Sequence, residues 1–214
     1  MGPHPQTATA PQPRVFNYSL DWRFLLPLTD PKKVCLLFEE DTDFSQTLEQ
    51  VGIYASQKFS LSALRDRETA SFPLFVMPFG LPVAWSGAEH ADRVEFYFAI
   101  RHFIDSGGYL LVGFNNLLNW RSKPQTSYHS STPLRIAREL TQAGFKSVKI
   151  FGAMPDLQIP EYIFDLDPRA IHFALQSRFR RKPALLRVLQ VLKGTMGLKR
   201  MSNFLPCYFA VATA

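Results

Sequence analysis

Cysteine is nearly absent: Cys35 and Cys207 are the only two, and both lie inside apolar runs. That excludes a disulfide scaffold or a cysteine-rich zinc module, and it reads both thiols as small core residues of a protein in a reducing compartment. Long apolar runs are missing too. None approaches the roughly 20 residues that a bilayer-spanning helix needs, so no transmembrane segment and a cytoplasmic location are expected. The histidines His90, His102, His129 and His172 have no ligand spacing to one another or to cysteine, so no metal is expected. Phosphate-cradling glycine loops, Ser/His nucleophile arrangements and paired catalytic carboxylates are also missing. Catalytic and cofactor-binding residues therefore stay unassigned at this level.

What is present points to one α/β domain. The chain has 214 residues, 46% of them hydrophobic, enough to bury a single large core. Residues 1–14 (MGPHPQTATAPQPR) carry proline and threonine without an apolar stretch, and read as a disordered tail rather than a signal peptide. Residues 15–214 read as the domain, including a basic helical segment over 168–200. Continuous apolar runs at 33–38 (KVCLLF), 71–79 (SFPLFVMPF), 109–116 (YLLVGFNN) and 207–212 (CYFAVA) predict buried strands, with further strands at 53–59 and within 145–155. Between them lie helical patterns. FSQTLEQV at 44–51 follows a capping Asp43 and ends at Gly52, and a helical turn or two fits 61–69. Before the Gly107-Gly108 pair, Val94, Tyr97, Phe98, Arg101 and Phe103 recur at about helical spacing. Residues 130–143 supply a cap, an early proline and apolar Leu134, Ile136, Ala137 and Leu140 before Gly144. This alternation predicts a Rossmann-like three-layer α/β sandwich with a mostly parallel sheet.

From residue 71 onward the order resembles the second half of a class I S-adenosylmethionine-dependent methyltransferase. FPLFVMPF resembles that family's fourth strand, IDSGGYLLVGFNN its glycine-pair fifth strand, and IARELTQAGFKSVKIFGA the helix, Ala-Gly-Phe and sixth strand. LPCYFAVATA sits where the seventh strand lies. The resemblance covers about two thirds of the chain. It implies a reversed last strand, S-adenosylmethionine as cofactor, and methyl transfer to a small-molecule or glycan-type acceptor. The first half departs from the pattern. In place of Gly-x-Gly after the first strand stands Phe38-Glu39-Glu40-Asp41-Thr42-Asp43, and the second strand is followed by Ser56 and Gln57 instead of an acidic residue. A side chain in place of glycine blocks close approach of a ligand to the backbone, so this cofactor half reads as shortened and degenerate. The carboxylates of Glu39, Glu40, Asp41 and Asp43 read as a solvated turn and helix cap rather than a hard-metal site.

Charge is the other feature. The formal net charge is +6 and the isoelectric point about 9.4. Between Arg178 and Arg200 the basic residues Arg178, Arg180, Arg181, Lys182, Arg187 and Lys193, with Lys199, meet no acidic residue; apolar Leu185, Leu186, Val188, Leu189, Val191 and Leu192 are interleaved with them. On a helix started by Pro183 this is either a docked amphipathic element with solvated charges or a binding site for anionic lipid or a phosphate-bearing partner. Near the strand ends, Glu89-His90 is either a surface helix start or a general base, and Asn115-Asn116 either form a turn or offer amides to a ligand. Three functions stay open: a methyltransferase, an inactive methyltransferase-fold scaffold that binds a protein partner, and a peripheral binder of anionic membrane or nucleic acid.

Overall fold

The computed structural model describes residues 21–26, 34–36, 55–58, 71–81, 90–118, 128–184, 186–187, 191, 200 and 202–214. The apolar run FPLFVM becomes strand β3 (Phe72–Met77), preceded in sequence by β1 (Val34–Leu36) and β2 (Ala55–Lys58). Helix α1 (His90–His102) leads into the long strand β4 (Ile104–Asn116). A two-residue strand β5 (Ser130–Ser131) precedes helix α2 (Pro133–Gln142). Then follow β6 (Ser147–Met154), β7 (Tyr162–Asp165), helix α3 (Pro168–Phe179) and β8 (Cys207–Thr213). The strands form one sheet in the order β2-β1-β3-β4-β8-β6-β7, with β5 paired to β4.

The sheet is mixed, which corrects the expectation of a mostly parallel one. The β1–β2, β1–β3, β3–β4 and β4–β5 ladders are parallel. The two longest ladders, β4–β8 and β6–β8, run seven residues each and are antiparallel, as is β6–β7. The reversed last strand is therefore present, inserted between β4 and β6. Strand β7, antiparallel to β6, accounts for the rest of the difference, while the short β5 joins parallel. Neither β5 nor β7 has the apolar run or clean alternation that marks a strand in sequence.

Strand alternation divides the core into two clusters. Phe75 and Met77 of β3, Leu110, Val112 and Phe114 of β4, and Tyr208 and Ala210 of β8 face one side, where they meet Tyr97 and Ile100 of α1, Ile136 and Leu140 of α2, and Ala174 of α3. Leu74, Val76, Leu111, Phe209 and Val211 face the other, covered by Trp22 of the 3-10 turn Asp21–Leu25 together with Phe79 and Leu157. Each fully buried Val, Leu, Ile, Phe or Met among them contributes about 1.5–3 kcal/mol. The α-helices whose packing is described thus share one face of the sheet; the helical reading at 44–51, which supplied the third layer, lies outside the described residues, as do 61–69 and the 39–43 turn.

Local signals explain the element ends. Thr132 caps α2, its Oγ1 accepting the Arg135 N–H at 3.3 Å, with Pro133 in the first turn. At the other end Gly144 takes φ +89°; its N–H donates to the Thr141 carbonyl and that of Phe145 to Leu140. That is a Schellman ending, which needs the positive φ that glycine adopts without strain. Helix α1 stops at His102, earlier than Gly107-Gly108 suggested, because the glycine pair lies inside β4, where the register against β3 shifts. Its inward face is Arg93, Phe96, Tyr97 and Ile100, while Phe98 points to solvent.

Candidate functional site

Ligands of open α/β sheets gather at the carboxyl ends of parallel strands, here the ends of β3 and β4. Strand β3 turns back through Pro78, Phe79 and Gly80 directly against β4. A side chain at Gly113 would overlap the Pro78 carbonyl, and one at Gly80, which has φ +83°, would come within 2.6 Å of the Gly113 carbonyl oxygen. Both positions therefore demand glycine. Strand β4 outruns β3: the last β3 partner is Met77 opposite Val112, and β5 then pairs Ser130 with Asn115 and Ser131 with Asn116. The His129 N–H donates to the Leu81 carbonyl at 2.7 Å, so β5 sits at the head of β3.

Alternation along β5 sorts its side chains. Tyr128 packs on the Trp22 side with Phe79, ring centroids 5.5 Å apart. By alternation, His129 and Ser131 fall on the side opposite Tyr128. There His129 Nε2 and Ser131 Oγ are buried and make no hydrogen bond. Two such atoms, one on β5 and one on the residue just before it, form the most ligand-like polar group among the described residues. Trp22 Nε1 and Arg101 Nε also lack a bond, each alone on its own element, while Arg93 Nη2 and Glu139 Oε2, buried likewise, belong to an ion pair between α1 and α2. Sequence reading passed over His129 because only metal spacing was asked of it, and a two-residue strand leaves no periodic signal.

Asn116 resolves the other way. Its amide nitrogen donates to the carbonyls of Asn203 at 2.6 Å and Leu205 at 2.7 Å, and its Oδ1 accepts the Leu118 N–H at 3.0 Å. The Tyr208 hydroxyl, 3.2 Å from the Asn116 amide, donates to the Ser202 carbonyl at 2.6 Å. Asn116 ties β4 to the segment before β8 and has nothing left for a ligand.

Between α1 and α2 lies a buried ion cluster that the sequence reading did not identify. Glu139, fully buried, accepts on Oε1 from Arg93 Nε at 3.0 Å and Arg135 Nε at 3.1 Å; Arg93 is only 4% exposed. The signal was present in the helix spacing, since Glu139 falls three residues after Ile136 and four before Ala143 on the inward face. Burial, aided by the Glu139 carboxylate, pushes the Tyr97 phenol well above its ordinary value. Burial does the same to the Cys207 thiol, with Asp156 adding to it. Cys207 Sγ–H donates to the Ala153 carbonyl at 3.3 Å. The thiol stays protonated and packed, as a core residue rather than a nucleophile.

The remaining sequence candidates scatter. His90 begins α1, and His102 ends it with a ring nitrogen 2.8 Å from the Phe98 carbonyl oxygen. Arg178, on α3, is held by Glu161, its Nη1 lying 3.1 and 3.0 Å from the two carboxylate oxygens. Arg180, Arg181, Lys182 and Arg187 are exposed, while Lys193 lies outside the described residues, as do Glu39, Glu40, Asp41 and Asp43. No group of three or more His, Cys, Asp or Glu among the described residues is placed to hold a metal ion, and no helix among them is long and apolar enough to cross a membrane.

No protein-family model matches the sequence, and no curated protein matches it. Solved structures do resemble it in fold. A SAM-dependent methyltransferase from Archaeoglobus fulgidus superposes with a TM-score of 0.56 at 12% identity, over 91% of each chain. A SAM-dependent methyltransferase from Thermotoga maritima, described as a possible histamine N-methyltransferase, gives 0.50 at 12% identity over 89% of this chain and 84% of its own. With the reversed β8 between β4 and β6, these likenesses establish a class I S-adenosylmethionine-dependent methyltransferase-like fold for this chain.

Proposed function

We propose that the protein transfers a methyl group from S-adenosylmethionine to a hydroxyl or amine of a small-molecule or glycan-type acceptor at the head of β3. The observation that carries this reading is the pair of buried, unbonded polar atoms, His129 Nε2 and Ser131 Oγ, at the strand ends. Leaving buried polar groups unbonded costs about 1–3 kcal/mol each, and a polar ligand offsets that cost. The cofactor supplies an electrophilic methyl group when bound. His129 Nε2 takes the proton released by the acceptor as its bond to the methyl carbon forms, and the Ser131 hydroxyl orients the acceptor. Most of the acceleration comes from holding acceptor and donor in line, which asks little further acid–base chemistry of the protein. The glycine-free 38–43 turn requires the cofactor to be held in another way than the family's.

Calorimetry with S-adenosylmethionine and its demethylated product tests the reading: binding heat is expected, and silence at millimolar ligand overturns it. His129→Gln should keep that heat and lower labelled-methyl transfer about 10²- to 10⁴-fold.

A second reading is a non-catalytic scaffold. Leu117, Leu118 and Leu134 are exposed around β5, and a partner protein would cover them there. Absent cofactor heat, together with a stoichiometric partner that Leu117→Glu and Leu118→Glu release, would favour it over catalysis.

A further inference from the structure

Helix α3 buries Ile171 and Ala174 and turns Arg169, Phe173, Gln176 and Arg180 outward. These four are spaced at four, three and four residues, so they form one stripe along the helix. Phe173 is 68% exposed at its middle, between two guanidinium groups. Past the helix end, Arg181, Lys182 and Arg187 are exposed as well. None of the side chains of Arg169, Arg180, Arg181, Lys182 and Arg187 forms an ion pair among the described residues, whereas Arg178 does, with Glu161.

We infer that this stripe docks the protein on the surface of an anionic phospholipid membrane. The argument is charge and shape complementarity. Cations without acidic partners gain from a negative headgroup layer, and an exposed aromatic ring flanked by arginines seats at headgroup level with its apolar body below the charges. Exposed Val191 further along the basic segment is aliphatic and does not stack on bases. A single-stranded nucleic acid would stack a base on Phe173 but leave Val191 in water, whereas a lipid surface takes up both, so the lipid surface is the better fit. The residue assignment differs from the run of basic residues in the sequence: Arg178 drops out, and Arg169 and Phe173 enter.

The test is co-sedimentation of the full chain with vesicles of phosphatidylcholine alone and with one-fifth phosphatidylserine. Binding is expected only to the second, weakening as salt rises. Each surface cation removed should cost about fivefold in partitioning. The double variant Arg180→Glu/Arg181→Glu should therefore lose binding about 25-fold or more, and Phe173→Ala about tenfold. All three side chains are exposed, so the fold is kept, and Arg138→Glu on α2 should bind as the unaltered chain does. No binding to phosphatidylserine vesicles, equal binding to both vesicle types, equal losses from Arg138→Glu and the double variant, or tight binding of a single-stranded oligonucleotide with none of vesicles would each overturn the inference.

Discussion

Two sets of buried polar groups, Asn116 with Glu139 and, between them in sequence, His129 with Ser131, are treated in opposite ways by the fold. Glu139 and Asn116 are tied into the protein: one through Oε1 by the guanidiniums of Arg93 and Arg135, the other by carbonyls before β8 and the Leu118 N–H. His129 Nε2, just before β5, and Ser131 Oγ, on it, are buried and unbonded. The fold spends its polar bonding on fastening α1 to α2 and β4 to the segment before β8, and leaves the head of β3 unfinished. Groups of the first kind serve the protein's own stability, and groups of the second kind are kept for something else.

That contrast breaks if substitutions in the two sets behave alike. The largest effect belongs to Glu139→Ala, which leaves the Arg93 guanidinium buried without its carboxylate. A loss of about 3–5 kcal/mol in denaturant-unfolding free energy is expected, and a loss under 1 kcal/mol would remove the cluster's role. Asn116→Ala strands the carbonyls of Asn203 and Leu205 and should cost about 2–3 kcal/mol by the same measurement. At the small end, Ser131→Ala removes a hydroxyl that bonds to nothing in the protein. It should change stability by no more than about 0.5 kcal/mol while weakening acceptor binding in methyl-transfer assays. A destabilisation as large as that of Asn116→Ala would put Ser131 in the structural set.

Much of the frame was legible in the residues, and the reasons are local. Continuous apolar runs announced β3, β4 and β8, and Thr132, Pro133 and Gly144 announced both ends of α2, because burial and capping leave one-dimensional marks. Strand direction left none. The reversed β8 followed from resemblance, yet the antiparallel weight of the sheet came from β6 and β7 joining it, and β7 (YIFD) is too short and irregular to declare itself. The site was less legible than the frame. The Arg93–Glu139 pair spans 46 residues, and the exposure of His129 Nε2 to no partner is a property of the packed head of β3, visible only when β4, β5 and Leu81 are placed together. Within the basic segment, the claim of Glu161 on Arg178 could not be seen, because Glu161 lies outside the segment in sequence.

Strand β8 has a temporal consequence. Among the described strands, β6 and β7 reach the remainder of the sheet only by pairing with β8. Everything from β2 through β5 on one side, and β6 with β7 on the other, must wait on a ribosome until the residues around 207–213 have emerged before a single ladder joins them. Such late, long-range closure makes for slow folding with sheet edges open in the meantime. The chain is made as two half-sheets, and it becomes one molecule only once β8 can pair with both.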